Sequence, residues 1–198
     1  MSFDVKDFKE LFTSKFYIPA FIEWRINKKS GKDIVGHYYE NFINELYLIN
    51  GLPIFDKKRK ILGTEYNADT VVGKSIKKII SVAEDKGHYL DKTFFKRALS
   101  NATDLYFECL ENNITPPFFV LNCPTTYNRY VVIYNKEMRK YSDEMVNVIK
   151  EKLKYFPVCK HDRIPAKDYF MTMENCFKFD DGLIESKLNF INELKNGL

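Results

Sequence analysis

Two short apolar runs, Ile79-Ile80-Ser81-Val82-Ala83 and Phe118-Phe119-Val120-Leu121, stand on either side of one long amphipathic segment, and this arrangement constrains the fold more than any other feature. A continuous apolar run of four or five residues suits a strand covered on both faces. Between the runs, Phe94, Phe95, Ala98, Leu99, Ala102, Leu105, Tyr106 and Cys109 recur at helical spacing. Asp91 can cap that helix, and Asn112-Asn113 followed by Pro116-Pro117 stops it. A strand, a helix and a second strand lying beside the first make a β-α-β crossover.

The remaining periodicities fit around this unit. Residues 2–16 predict a helix capped by Ser2, with Phe3, Phe8, Leu11 and Phe12 as its apolar stripe. A stronger helix follows, carried by Ile34, Val35, Tyr38, Phe42, Leu46 and Ile49 and stopped by Gly51 before Pro53. Residues 60–62, 69–72 and 79–82 predict three strands of an antiparallel meander, with a turn near Gly73-Lys74-Ser75. Residues 130–134 predict an edge strand. Residues 142–155 predict a helix with Met145, Val148, Ile149 and Leu153 inward, and residues 181–194 a last helix with Leu183, Ile184, Leu188, Ile191 and Leu194 as its stripe. The expected fold class is α/β, a central mixed β-sheet built from an antiparallel meander plus a β-α-β crossover and flanked by helices. The length, 198 residues, suits one domain over 1–198.

Composition narrows the function classes. Hydrophobic residues at 45% are too many for a disordered chain. Lys and Arg exceed Asp and Glu by 31 to 27, a formal charge of +4. That excess is compatible with a nucleic-acid ligand if the charge clusters on one face, and far below that of a histone-like binder. Cys109, Cys123, Cys159 and Cys176 form no CxxC pair, which argues for reduced thiols over a zinc site or disulfide framework. No apolar run approaches the ~20 residues of a membrane span, and the start MSFDVKDFKELF lacks a signal-peptide profile, so a soluble, cytoplasmic protein without a membrane partner is expected.

The run from Ile79 ends in Glu84-Asp85-Lys86-Gly87. Side chains on a strand repeat every two residues, so Glu84 and Lys86 project from one side and Asp85 from the other. Asp69 opens the preceding strand. Two carboxylates from neighbouring strands can share a hard divalent cation, leaving room for water and phosphate. A lysine beside them would face the developing charge of a phosphodiester under attack. A hairpin centred on residues 73–75 does not by itself set Asp69 opposite Glu84; a bulge or an asymmetric turn is required.

This order resembles the PD-(D/E)xK nuclease superfamily, familiar from type II restriction endonucleases. The resemblance covers residues 60–125, with Asn67-Ala68-Asp69 giving the first acid and Glu84-Asp85-Lys86 the second acid and the lysine; Ala68 stands where a proline is frequent. It implies a restriction endonuclease-like fold with a catalytic core at about 57–135, Mg²⁺ held by Asp69, Glu84 and the main-chain carbonyl of Asp85, and Lys86 orienting the attacking water. The implied substrate is double-stranded DNA, cut by a homodimer at a sequence-specific palindromic site within a restriction-modification system. A structure-specific repair or recombination nuclease of the same fold, or a noncatalytic nucleic-acid-binding domain, are the alternatives.

DNA-contact candidates follow from residue chemistry. His88, Tyr89, Lys92, Lys96 and Arg97 come directly after the motif, where basic and polar groups can bind phosphate. Asn128, Arg129, Arg163 and Lys167 lie in less regular segments and have donors and acceptors suited to base edges or phosphate. Lys57-Lys58-Arg59-Lys60 suits phosphate contact. Glu40, Glu45 and Glu65 are further acids that could lie near a metal, although a solvated role is the expectation for each.

Overall fold

The computed structural model describes residues 3–27, 31–55, 68–75, 78–87, 92–126, 129–162, 170 and 178–197. Helix α1 (Val5–Leu11) starts at Asp4, which accepts the Lys6 and Asp7 N–H groups at 2.8 and 3.0 Å while Asp7 accepts the Asp4 N–H at 3.1 Å. This reciprocal cap satisfies donors that the first turn would otherwise leave open. The cap expected at Ser2 lies outside the described residues. A π-helical turn (Phe12–Tyr17) continues into helix α2 (Ile18–Asn27), and Phe8, Leu11, Phe12 and Phe16 are all buried.

Helix α3 (Gly31–Ile49) buries Val35, Tyr39, Phe42, Ile43, Leu46 and Tyr47. It stops where Gly51 takes a φ of 77°, with the Leu52 N–H returning to the Tyr47 carbonyl at 3.0 Å. Only glycine enters that left-handed region without strain.

The central sheet has the order β1-β2-β3-β5: β1 (Thr70–Gly73), β2 (Ile79–Asp85), β3 (Phe118–Asn122) and β5 (Leu153–Phe156). Strands β1 and β2 are antiparallel, whereas β2, β3 and β5 run parallel. Helix α4 (Lys92–Glu111) makes the crossover from β2 to β3 and buries Phe94, Phe95, Ala98, Leu99, Ala102, Leu105 and Cys109, as the periodicity predicts. The fold is therefore α/β with a mixed central sheet. The strand expected at residues 60–62 and the cap at Asp91 lie outside the described residues.

Helices cover both faces of the sheet. On one face α1, α3 and α7 (Asp181–Asn196) pack against Val72, Ala83, Val120 and Phe156. On the other, α4, α5 (Tyr130–Met138) and α6 (Asp143–Lys152) pack against Val71, Val82, Phe119, Leu121 and Leu153. A short second sheet pairs β4 (Thr125–Thr126) with β6 (Cys159–Asp162) in parallel. Cys109, Cys123 and Cys159 are buried free thiols. Among the described residues, no helix is long and apolar enough to cross a membrane.

Ile49, expected in the apolar stripe of α3, is half exposed at the helix end, and two element expectations fail. Residues 130–134 form the start of helix α5, not an edge strand: Ile133, Glu137 and Met138 face inward at helical spacing. The helix expected through Tyr155 ends at Lys152, and Leu153–Phe156 becomes the edge strand instead, pairing Leu153 with Phe119. Ser142 does cap α6, accepting the Met145 N–H at 3.4 Å.

Candidate active site at the ends of strands β1 and β2

The pairing register decides which side chains meet. Gly73 pairs with Ile79, but Val72 pairs with Ser81, so Ile80 is an extra residue in β2. This is a bulge, and it advances the rest of the ladder by one position. Thr70 then pairs with Ala83. The Asp69 N–H also reaches the Ala83 carbonyl, at 2.9 Å, so the regular register ends at Thr70 and Asp69 stands at the mouth of the hairpin beside the end of β2. Glu84 projects from the same face of β2 as Val82.

That face is the one covered by α4. Val82 lies in the α4 cluster, two residues before Glu84, and Lys86 rests its Nζ 4.6 Å from the ring centroid of Phe94. Glu84 and Lys86 thus share a side. The Asp69 Oδ2 also accepts the Asp85 N–H at 2.8 Å, while the Lys86 N–H bonds the Asn122 carbonyl at 2.8 Å. The ends of β1, β2 and β3 are stitched together here.

The Asp85 carboxylate points the other way, as strand alternation predicts. It is 4% exposed and clamped from two sides: Thr70 Oγ1 donates to Oδ2 at 2.8 Å, and Asn122 Nδ2 donates to Oδ1 at 2.7 Å. Thr70 Oγ1 also lies 3.2 Å from Asn44 Oδ1 of α3. Behind Asn122 sits Lys187 of α7, 1% exposed, with Nζ donating to Asn122 Oδ1 at 2.6 Å. Burial pushes the Asp85 carboxyl up, with the nearby Asp69 charge adding to it, and burial pushes the Lys187 ammonium down against the pull of Asp85. The buried Tyr47 hydroxyl is raised by the same desolvation and by Asp85, and Asn122 gives it a hydrogen bond.

Sequence reasoning turned the Asp85 side chain away from Glu84 and Lys86 and did not single out Asn122 or Lys187. The signals were present in each case. Asn122 prolongs the apolar run 118–121, and Lys187 falls three residues after Ile184 and four before Ile191, inside the apolar stripe of α7.

Around the acids, cations are distributed unevenly. Arg97 is exposed and lies 5.4 Å from the Phe94 centroid, so Lys86 and Arg97 both gather on that ring. Lys92 is exposed in the first turn of α4, and Arg129 in the turn before α5. Lys96 is engaged by Glu137 at 2.9 Å, and Lys140 completes that cluster. Two basic groups on Glu137 hold its carboxyl below the usual carboxylate range, the Lys140 hydrogen bond first and Lys96 second. Glu45 pairs with Lys15 at 3.8 Å, and the Glu40 carbonyl accepts from Asn44 at 2.9 Å within α3. His88, Tyr89, Asn128, Arg163, Lys167, Glu65 and residues 57–60 lie outside the described residues.

Gly87 serves packing more than ligand approach. A Cβ there would stand 2.4 Å from the Val35 carbonyl oxygen of α3. The glycine lets helix and strand end touch.

The carboxylates of Asp69 and Glu84 and the main-chain carbonyl of Asp85, all at this end of the hairpin, are hard oxygen donors. Among the described residues no three His, Cys, Asp or Glu side chains cluster as a metal cage. Such a set fits Mg²⁺ better than a transition metal, because Mg²⁺ keeps several waters and is commonly held by one or two carboxylates plus substrate phosphate. A cleft of about 900 Å³ lies at the opposite end of the sheet, lined by Lys78, Ile79, Asn113, Pro117, Phe118 and Lys152 among others. In comparisons with protein-family models, curated proteins and solved structures, nothing matches this chain.

Proposed function

We propose that the protein is a Mg²⁺-dependent endodeoxyribonuclease of the PD-(D/E)xK kind, with a restriction endonuclease-like core. The observation that carries this reading is the hairpin end, where the Asp69 carboxylate bonds the main chain of Asp85, next to Glu84, and Lys86 shares the Glu84 side of the strand. The antiparallel hairpin, the α4 crossover and the parallel β3 around these residues support it.

In this reading Asp69 and Glu84, with the Asp85 carbonyl, would hold the ion, which would supply positive charge for the phosphate and a more acidic water. Lys86 holds a positive charge where the water attacks and where negative charge grows. Arg97 and Lys92, exposed beside it, bind the flanking phosphates. Phosphate contacts position the duplex without reading its sequence. Double-strand cutting calls for two copies of the site, hence a homodimer on a symmetric target.

The test is incubation of purified protein with supercoiled plasmid and Mg²⁺. Discrete linear products are expected, with cleavage reduced at least ~100-fold in Asp69→Asn, Glu84→Gln and Lys86→Met, the scale on which removing one charge-stabilising group acts. Preference for branched DNA over plasmid would favour a repair enzyme. Salt-dependent binding without cleavage in Mg²⁺ or Mn²⁺ would refute the catalytic reading and leave a binding domain.

A further inference from the structure

A buried ammonium is costly, and residue 187 belongs to an otherwise apolar stripe between Ile184, Leu188 and Ile191. Methionine would fill the same space without losing ion hydration, and exchanging a buried ionic group for a packed apolar one often leaves a protein no less stable. Packing therefore does not account for this lysine. Its hydrogen bonding does.

Lysine can only donate, so the group facing Lys187 Nζ at 2.6 Å must be the oxygen of Asn122. The Asn122 amide is thereby turned with its NH₂ toward Asp85 Oδ1, 2.7 Å away. Thr70 holds the second carboxylate oxygen at 2.8 Å. With both oxygens clamped, the peptide of Asp85 is fixed, and its N–H holds Asp69 Oδ2 at 2.8 Å. The chain of contacts runs from α7 through β3 to the last residue of β2 and then to the residue that opens β1. No member of it is exposed: Asn122 and Thr70 are fully buried, and Lys187 is nearly so.

We propose that Lys187 is a positioning residue for Asp69: through Asn122 and Asp85 it fixes the Asp69 carboxylate at the hairpin end. The contact chain stands on geometry alone; its consequence for metal binding rests on the nuclease reading. Partners that orient a metal ligand from behind are worth roughly 10–100-fold in metal affinity.

Two readouts separate these layers. In metal-free protein, hydrogen exchange of the Asp85 amide measures its bond to Asp69. Mn²⁺ titration followed by electron paramagnetic resonance measures the site. Lys187→Met is expected to speed exchange at Asp85 about tenfold more than at Val82 or Val120, and to weaken Mn²⁺ binding by about tenfold or more. If Lys187→Met fails to fold, Asp85→Asn/Lys187→Met removes both charges, and the same two readouts apply to residue 85. A folded variant with native exchange at residue 85, or with exchange raised evenly across β2 and β3, overturns the proposal. Mn²⁺ binding at native strength in a variant whose residue 85 amide has loosened also overturns it. If the native protein binds no Mn²⁺ while exchange at Asp85 responds as expected, the contact chain stands and the nuclease reading falls.

Discussion

Removing one charge of the Asp85–Lys187 pair should cost far more than removing both. In Lys187→Met the Asp85 carboxylate loses the cation behind Asn122 and the contact that turns the Asn122 amide toward it, at a site 4% exposed. Breaking a buried pair by taking one partner costs about 3–5 kcal/mol, because the survivor stays desolvated and uncompensated. For a chain of this length, ~2–4 °C of melting temperature per kcal/mol makes a loss of roughly 6–20 °C. Asp85→Asn strands Lys187 in the same way. The double variant leaves two neutral side chains and should fall within ~1 kcal/mol of native, so the single costs are strongly non-additive.

The deficit of Lys187→Met should also depend on pH. Asp85 already has a raised folded pKa, from 3.8 to about 7, and losing Lys187 removes one influence that lowered it. An acid with a raised folded pKa takes up its proton on folding, so stability falls as pH rises between the unfolded and folded values. Urea denaturation of the four proteins at pH 5 and pH 8 tests both points: the Lys187→Met deficit should be smaller at pH 5. Additive single effects, or a deficit that ignores pH, would refute the argument that a charge pair organises this end of the sheet.

Gly87→Ala should destabilise by about 2–3 kcal/mol in urea titration, because its Cβ would meet the Val35 main chain, with the oxygen at 2.4 Å and the carbonyl carbon at 2.8 Å. Native stability in that variant would mean α3 does not seat on the strand end. Glu137→Gln should cost about 1 kcal/mol or less at pH 7, since its lysine partners are partly solvated. Its depressed pKa means that this contribution is lost as pH falls through the folded value, so native and variant should converge near the acid limb of a pH–stability curve. Phe94→Leu should keep the core filled while removing the ring face under Lys86 and Arg97; at roughly 0.5–1 kcal/mol for such a contact, the proposed nuclease would cleave about two- to fivefold more slowly in single turnover.

Much of the frame was legible because burial and period agreed. Phe94 to Cys109 repeat at 3.6 residues and are buried along α4, and the two apolar runs became adjacent parallel strands. Where the expectation failed, local preference and tertiary context diverged. Tyr130-Val131-Val132-Ile133-Tyr134 is β-branched and aromatic, yet only Ile133 of these is fully buried, while Val131 and Val132 face water at 59% and 67% exposure. A helix buries Ile133, Glu137 and Met138 together against α4, and that packing overrides strand preference. Leu153 continues the helical spacing from Ile149, so the sequence offers no stop at Lys152; pairing of Leu153 with Phe119 supplies it. At the candidate site, alternation separated Glu84 and Lys86 from Asp85, and the need for a bulge was readable. Its position at Ile80 was not, because a bulge depends on the partner strand. Asn122 and Lys187 are 65 residues apart, and no local pattern announces a hydrogen bond across that distance.

Ile80 makes this hairpin tolerant of its own extra length. Because that residue bulges out, Gly73–Ile79, Val72–Ser81 and Thr70–Ala83 are the pairs an even ladder would form without it. Loss of that single codon would therefore leave the strand ends in place, whereas drawing Ile80 into the ladder would slide Thr70 to Val82 and move the acids by one position. Related chains one residue shorter here would be natural places to look for the same arrangement on an unbulged hairpin.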